Sequence, residues 1–82
     1  MAALILVVDD DPVQRRLLEA MIRRFGYQPE TVESGEAALA RLEASDRPTV
    51  NLVILDLVMP DLDGMGVLTR MRQRGIQTPA IV

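Results

Sequence analysis

Two short apolar runs in this chain each end in acidic residues. Residues 4–8 (LILVV) lead into three aspartates at 9–11, and residues 52–55 (LVIL) lead into Asp56. Continuous runs of Leu, Ile and Val of this length are typical of strands buried on both faces, as in parallel sheets covered by helices. In such sheets the carboxyl ends of neighbouring strands open into one crevice, where ligands bind. If the two strands are neighbours, the acidic residues that follow them converge in that crevice.

Convergence of Asp9, Asp10 and Asp56 would bring three negative charges together. Carboxylates at close range repel one another unless a cation or shared protons offset the charge. We therefore expect a divalent metal at this position, and a raised pKa for at least one of the three carboxyl groups in the absence of metal. The chain contains no His and no Cys. The metal ligands must then be oxygen atoms, which favours Mg²⁺, Mn²⁺ or Ca²⁺.

The composition excludes several classes of function. A chain of 82 residues is one small domain at most. Without His or Cys it can form no Cys/His zinc site, no Ser-His-Asp triad, no thiol nucleophile and no disulfide. A net charge of −3 gives no electrostatic basis for direct binding to nucleic acid or to a membrane surface. The apolar runs are too short to span a bilayer, and a cytoplasmic location is expected.

The first helix is predicted to begin after Asp11 and to end at Gly26. Asp11 followed by Pro12 is a helix-start signal, because it offers a capping side chain and then proline at the first helical position. Apolar residues at helical spacing predict the buried face of this helix, with the arginines facing solvent. The predicted buried face consists of Val13, Leu17, Met21 and Phe25, widened by Leu18 and Ile22.

The rest of the chain is predicted to alternate between strands and helices. A strand is expected at 27–32, a helix opening at 34–35, a strand at 51–56, a helix at about 65–74 and the entry to a strand at 78–82. The resulting order is βαβαβαβ, with connections long enough for right-handed parallel crossovers. The sequence therefore predicts the α/β class, with a doubly wound parallel sheet.

Five segments of the chain resemble the receiver domains of two-component response regulators. They are LVVDDDP (6–12), SGEAAL (34–39), VILDLVMP (53–60), DLDGM (61–65) and TPAIV (78–82). The segments follow the family's order and spacing across the whole chain. The resemblance implies the flavodoxin-like receiver topology, incomplete after the start of the fourth strand, so that 1–82 is expected to be a partial receiver domain.

The resemblance also implies roles for individual residues. Asp56 matches the aspartate that accepts a phosphoryl group from a histidine kinase, a phosphotransfer protein or a small acyl phosphate. Asp9 and Asp10 match the metal-binding acids, with Asp10 the better candidate for direct contact, and the backbone carbonyl of Val58 matches a further ligand. The implied cofactor is Mg²⁺, with Mn²⁺ as an alternative. Such a domain assists its own phosphorylation and is not a multiple-turnover enzyme acting on an external substrate.

The chain departs from the family because two expected residues are absent. One is a Thr or Ser just past the fourth strand, and the other is a Lys at the end of the fifth strand. An output domain, with any role in transcription regulation or contact with nucleic acid, would also lie outside the chain. The open apolar edge of the sheet predicts a homodimer through that edge, unless the missing C-terminal part mediates it.

Several alternatives remain open. Asp11 is expected to cap the first helix, but a slip of one residue in the predicted register would place Asp11 rather than Asp9 at the metal. One alternative function is a degenerate receiver-like interaction domain without phosphotransfer. Another alternative is an aspartyl-phosphate phosphatase, a family that carries the pattern D-x-D-x-T/V after its first strand. The run at 9–12 of this chain contains Pro12, which disfavours the phosphatase pattern. Asp63 is expected to be a turn or cap residue.

Overall fold

The computed structural model describes residues 2–56 and 64–82, and within them a parallel sheet is flanked by helices on both faces. The elements are β1 Leu4–Val8, α1 Pro12–Arg24, β2 Gln28–Val32, α2 Gly35–Glu43, β3 Leu52–Leu55, α3 Gly64–Gln73 and β4 Ala80–Ile81. None of the helices in this described part is long and apolar enough to cross a bilayer. The predicted α/β class and element order are confirmed.

The described strands are parallel and lie in the order β2-β1-β3-β4. After β2 the chain crosses over β1 to form β3 on its other side, so the direction of winding reverses between β1 and β3. This reversal is the doubly wound topology predicted from the sequence, and it opens a crevice at the carboxyl ends of the two central strands. The predicted strand at 27–32 begins one residue late, because the Tyr27 amide donates to the Ile22 carbonyl at 3.0 Å in the turn that ends α1.

Side chains of β1 alternate between two apolar clusters, one on each face of the sheet. Leu4, Leu6 and Val8 pack with α2 and α3, where Leu39, Val67 and Met71 are the large buried side chains. Ile5 and Val7 face the other way and pack against Ile22 of α1. The central strand is therefore buried on both faces, as its continuous apolar run predicts.

The ends of α1 follow the signals in the sequence. The Asp11 side chain accepts a hydrogen bond from the Val13 amide at 2.9 Å, so Asp11 is the N-cap. At the other end Gly26 has φ +87°, a left-handed conformation that glycine adopts at little cost. Glu19 and Arg23, one helical turn apart on α1, form an ion pair at 2.9 Å.

The prediction for the buried face of α1 is wrong in part. Ile22 is buried and Leu18 is partly buried against the sheet. The residues at four-residue intervals are instead exposed, namely Val13, Leu17, Met21 and Phe25. The apolar sector of α1 is wider than the surface that the sheet offers to one helix. The helix therefore packs through its Leu18 and Ile22 side and leaves the other side of the sector uncovered.

A buried arginine in α2 was not anticipated from the sequence. The Arg41 side chain is 4% exposed, and its Nε donates to Glu30 Oε2 of β2 at 2.6 Å. Its Nη2 donates to the Pro48 carbonyl at 2.7 Å. The guanidinium thereby joins the last turn of α2, the edge strand β2 and the connection into β3. A buried charge that is paired and hydrogen-bonded in this way would be costly to break on one side only.

Gly64 at the start of α3 lies against the backbone of Asp56, and substitution should destabilise the fold. A Cβ at position 64 would clash with the Asp56 carbonyl oxygen. We expect Gly64→Ala to lower the free energy of unfolding by about 1–3 kcal/mol, the usual cost of overpacking, as measured by urea denaturation. At an open helical site the same substitution is stabilising.

Gly26→Asn is the matched control for this prediction. A Cβ at Gly26 would meet nothing within 4 Å, and Asn tolerates the left-handed conformation. This variant should therefore lose less stability than Gly64→Ala. Equal or greater stability of Gly64→Ala relative to the wild type would contradict the close approach of α3 to Asp56.

Candidate functional site

The pairing of β1 with β3 brings Asp9 and Asp56 to the same edge of the sheet. Val8 lies opposite Leu55 in the parallel register, so the next residue of each strand is an aspartate. The backbone continues this alignment, since the Asp56 amide donates to the Val8 carbonyl at 3.0 Å. The positions of these acids thus follow from strand register, and no loop geometry is needed to bring them together.

Asp10 completes a cluster of three carboxylates. One side-chain oxygen from each of Asp9, Asp10 and Asp56 lies within 4.8 Å of the other two. Asp9 is buried, Asp56 is half-buried and Asp10 is exposed, so the cluster runs from the end of the sheet to solvent. Carboxylate oxygens are the donors that hard divalent cations prefer, and this donor set fits Mg²⁺.

Ionisation of Asp9 carries an electrostatic cost. Burial raises the pKa of its carboxyl group, and the negative charges of Asp56, Asp10 and Asp11 raise it further. The hydrogen bond from the Asp11 amide to Asp9 Oδ1, at 2.9 Å, lowers the pKa of Asp9 but does not cancel the increase. The expected rise in the pKa of Asp9 is therefore present, and burial is its largest single cause, ahead of the charge on any one neighbouring carboxylate.

Asp11 lies beside the cluster without joining it. Its side chain caps α1, and the acids within metal-binding range in the described part of the chain are Asp9, Asp10 and Asp56. This arrangement favours the register predicted from the sequence over the one-residue slip. The phosphatase alternative needs Asp11 as the second acid of a D-x-D pattern that begins at Asp9. Because the Asp11 side chain instead caps α1, the arrangement also argues against that alternative.

Arg15 is a residue near the site that sequence reasoning missed. It was expected on the solvent face of α1, but its Nη1 donates to the backbone carbonyl of Asp9 at 2.8 Å. This hydrogen bond joins the first turn of α1 to the peptide unit between Asp9 and Asp10. The available signal was weak, because an arginine in a first helical turn is usually solvated.

Three residues singled out in the sequence lie outside the described residues. They are Val58, whose backbone carbonyl is an expected metal ligand, Asp63, which is expected to be a turn or cap residue, and Asp61 of the matched segment DLDGM. Their roles stay predictions. On the far side of this segment the chain is described again from Gly64, where α3 begins.

Comparison with known proteins places the chain in a family. The profile of the response regulator receiver domain matches residues 5–82. The chain is 40% identical over 78 residues to the sensor histidine kinase RcsC of Escherichia coli K12, covering 95% of this chain and 8% of that protein. A solved receiver protein from Pseudomonas putida superposes with a TM-score of 0.91 at 26% identity, covering 100% of this chain and 67% of that one.

The response regulator TrrA of Thermotoga maritima is a further solved relative. Its complex with Mg²⁺-BeF superposes with a TM-score of 0.76 at 39% identity, covering 88% of this chain and 60% of TrrA. TrrA in complex with the histidine kinase ThkA gives a TM-score of 0.84 at 36% identity over 95% of this chain and 65% of that one.

These coverages show that the chain spans about two thirds of the length of solved receiver domains and less than a tenth of RcsC. The profile match runs from the second residue of β1 through β4 and includes the acidic cluster. By this match and by the shared parallel sheet, the chain belongs to the response regulator receiver domain family.

Proposed function

We propose that this chain is the phosphoacceptor part of a two-component receiver domain, and that Asp56 is the residue phosphorylated. The observation that carries the proposal is the convergence of Asp9, Asp10 and Asp56 at the open end of β1 and β3. The donor would be the phosphohistidine of a histidine kinase or phosphotransfer protein, or a small acyl phosphate. The name of RcsC and the complex of TrrA with ThkA support a kinase as the partner.

The proposed reaction is an in-line displacement at phosphorus. A carboxylate oxygen of Asp56 forms the new P–O bond while the P–N bond to the donor imidazole breaks, and the leaving nitrogen keeps the bonding electrons. Asp56 is half-buried at a strand end, so its position is fixed while its side chain remains reachable. The reaction consumes one phosphoryl group per domain, which makes the chain a signalling phosphoacceptor and not a multiple-turnover enzyme.

The proposed cofactor is Mg²⁺, held by Asp9, Asp10 and Asp56 with the backbone carbonyl of Val58. When bound it supplies positive charge that offsets the carboxylates and the oxygens of the transferring group. Asp10 is exposed and can approach a hydrated ion, while Asp9 is buried and is oriented by the Asp11 amide. The Mg²⁺-BeF complex of TrrA supports this choice, and Mn²⁺ is a secondary candidate on donor chemistry alone.

The wider role of the protein is also part of the proposal. Phosphorylation would switch an output activity that lies outside residues 1–82, and contact with nucleic acid would occur only through such an output domain. The proposed location is the cytoplasm, where the phosphohistidine donor would act. No association with a membrane is proposed.

Mg²⁺ affinity should depend on Asp10 and not on Asp11. We expect Asp10→Asn to weaken Mg²⁺ binding by at least tenfold, because it removes a charged ligand from a set of three. Asp11→Asn is the matched control, since Asn caps a helix as well as Asp and Asp11 lies outside the cluster. Calorimetric titration with MgCl₂ measures both. Unchanged affinity in Asp10→Asn, or a larger loss in Asp11→Asn, would overturn the assigned register.

Phosphorylation should occur on Asp56. The protein to be tested carries a whole receiver domain, of which these residues are the matched part. Acetyl phosphate with Mg²⁺ should add one alkali-labile phosphoryl group to it. Asp56→Asn should abolish this labelling, because an amide is a poor nucleophile. Mass spectrometry of the peptides locates the group. A phosphoryl group on Asp61 or Asp63 would show that Asp56 is not the acceptor.

Failure of the wild type to be labelled, with Mg²⁺ bound, would favour the degenerate interaction domain.

Asp46→Asn is a suitable control for labelling. Asp46 is an exposed acid in the turn after α2, remote in sequence from both strand ends. Its substitution removes one negative charge, as Asp56→Asn does, and should leave phosphorylation unchanged.

A further inference from the structure

The hydrogen bond from Arg15 to the Asp9 carbonyl replaces a strand partner that β2 no longer supplies. The Asp9 amide donates to the Val32 carbonyl at 3.2 Å, at the residue where β2 ends. The amide and the carbonyl of one residue in a parallel ladder point to the same neighbouring strand, so the Asp9 carbonyl also points towards β2. A continued ladder would use the amide of Ser34 as its donor, but Ser34 is the N-cap of α2. The Nη1 of Arg15 takes this place, at 2.8 Å from the carbonyl oxygen.

The same carbonyl belongs to the peptide unit that joins two proposed metal ligands, Asp9 and Asp10. Successive side chains of a regular strand point to opposite faces of the sheet. A side-chain oxygen of Asp9 nevertheless lies within 4.8 Å of one of Asp10. The peptide unit is planar, so its orientation sets the directions in which the two side chains leave the backbone. Convergence of the two carboxylates therefore depends on how this one peptide unit is turned.

Asp9 is held by hydrogen bonds at its amide, its carboxylate and its carbonyl. The amide is bound to β2, and Oδ1 accepts from the Asp11 amide at 2.9 Å. Both of these bonds use backbone groups of other residues, whereas the bond to the carbonyl uses the Arg15 side chain. Arg15 is half-buried, and its partner lies six residues earlier, so the contact forms within the connection from β1 to α1.

We infer that Arg15 is a positioning residue for the proposed Mg²⁺ site, an inference that rests on the function proposed above. Its guanidinium holds the peptide unit between Asp9 and Asp10 in the orientation that brings both carboxylates towards one ion. Loss of a group that orients metal ligands in this way typically costs about ten- to a hundredfold in metal affinity. Arg15 is in no ion pair within residues 2–56 and 64–82, so its substitution breaks this hydrogen bond and no salt bridge there.

The charge of Arg15 and its hydrogen bond should act on Mg²⁺ affinity in opposite directions. A guanidinium near the site repels a divalent cation, so removal of the charge alone should tighten binding. Removal of the hydrogen bond frees the peptide unit and should weaken binding. Arg16 is the matched residue for the charge, because it is the next residue of α1, is exposed and is in no ion pair across the described part of the chain. The direction of the change therefore separates a positioning role from an electrostatic one.

Calorimetric titration with MgCl₂, in a protein that carries a whole receiver domain, tests the proposal. Arg15→Met should weaken Mg²⁺ binding about tenfold. Arg15→Gln should do the same, because its side chain is shorter and neutral. Arg16→Met removes the same charge and should bind Mg²⁺ as tightly as the wild type or more tightly. Unchanged or tighter binding in both Arg15 variants would overturn the positioning role and leave the proposed function intact, whereas a wild type that binds no Mg²⁺ would overturn both.

The backbone amide of Asp10 gives a readout that needs no metal. It belongs to the same peptide unit as the Asp9 carbonyl, so Arg15→Met should shift its signal in the ¹H–¹⁵N spectrum of the protein in EDTA, and Arg16→Met should not. An unshifted Asp10 amide in Arg15→Met would contradict the proposal. So would a lower free energy of unfolding in urea with an unchanged Mg²⁺ dissociation constant, because that result would show a contact that supports the fold and not the site.

Discussion

The parallel pairing of β1 with β3 is the constraint on which the rest of the site depends. Because Val8 lies opposite Leu55, the two strands deliver Asp9 and Asp56 to one crevice, and Asp10 follows from the next peptide unit. Backbone hydrogen bonds and burial of the central strand hold this register against the repulsion of the carboxylates. The fold therefore carries an electrostatic cost at this edge of the sheet, and a bound cation would offset that cost.

Much of this arrangement could be predicted because the relevant signals are local. Continuous runs of Leu, Ile and Val identify strands that are buried on both faces, and the acid that ends each run lies at the strand's open end. α1 begins after the cap Asp11 with Pro12, and it ends before Gly26, which adopts a left-handed conformation. Both signals depend only on neighbouring residues. The convergence of the acids required one further assumption, that the two strands are neighbours, and the sheet order satisfies it.

The features that were missed depend on contacts between distant parts of the chain. Periodicity showed that α1 has a wide apolar sector, but which side meets the sheet depends on how the helix crosses β1 and β2. Arg15 was expected on the solvent face of α1 and no role was predicted for Arg41, whereas each donates to a backbone carbonyl that tertiary structure brings close. Polar contacts of this kind leave no spacing pattern in a single sequence, because they arise only when the chain has folded.

Urea denaturation of the wild type and Asp9→Asn, in EDTA and in millimolar Mg²⁺, tests the central claim most directly. The pKa of Asp9 is raised in the folded state. Ionisation of Asp9 therefore lowers the free energy of unfolding as the pH rises from the ordinary pKa of an aspartate to the raised pKa of Asp9 in the folded state. Above that raised pKa the whole loss of stability is present. At neutral pH without metal, Asp9→Asn should be the more stable protein. Mg²⁺ should reverse this order by stabilising the wild type more. The same stability difference in both conditions would contradict the claim that a cation offsets the clustered carboxylates.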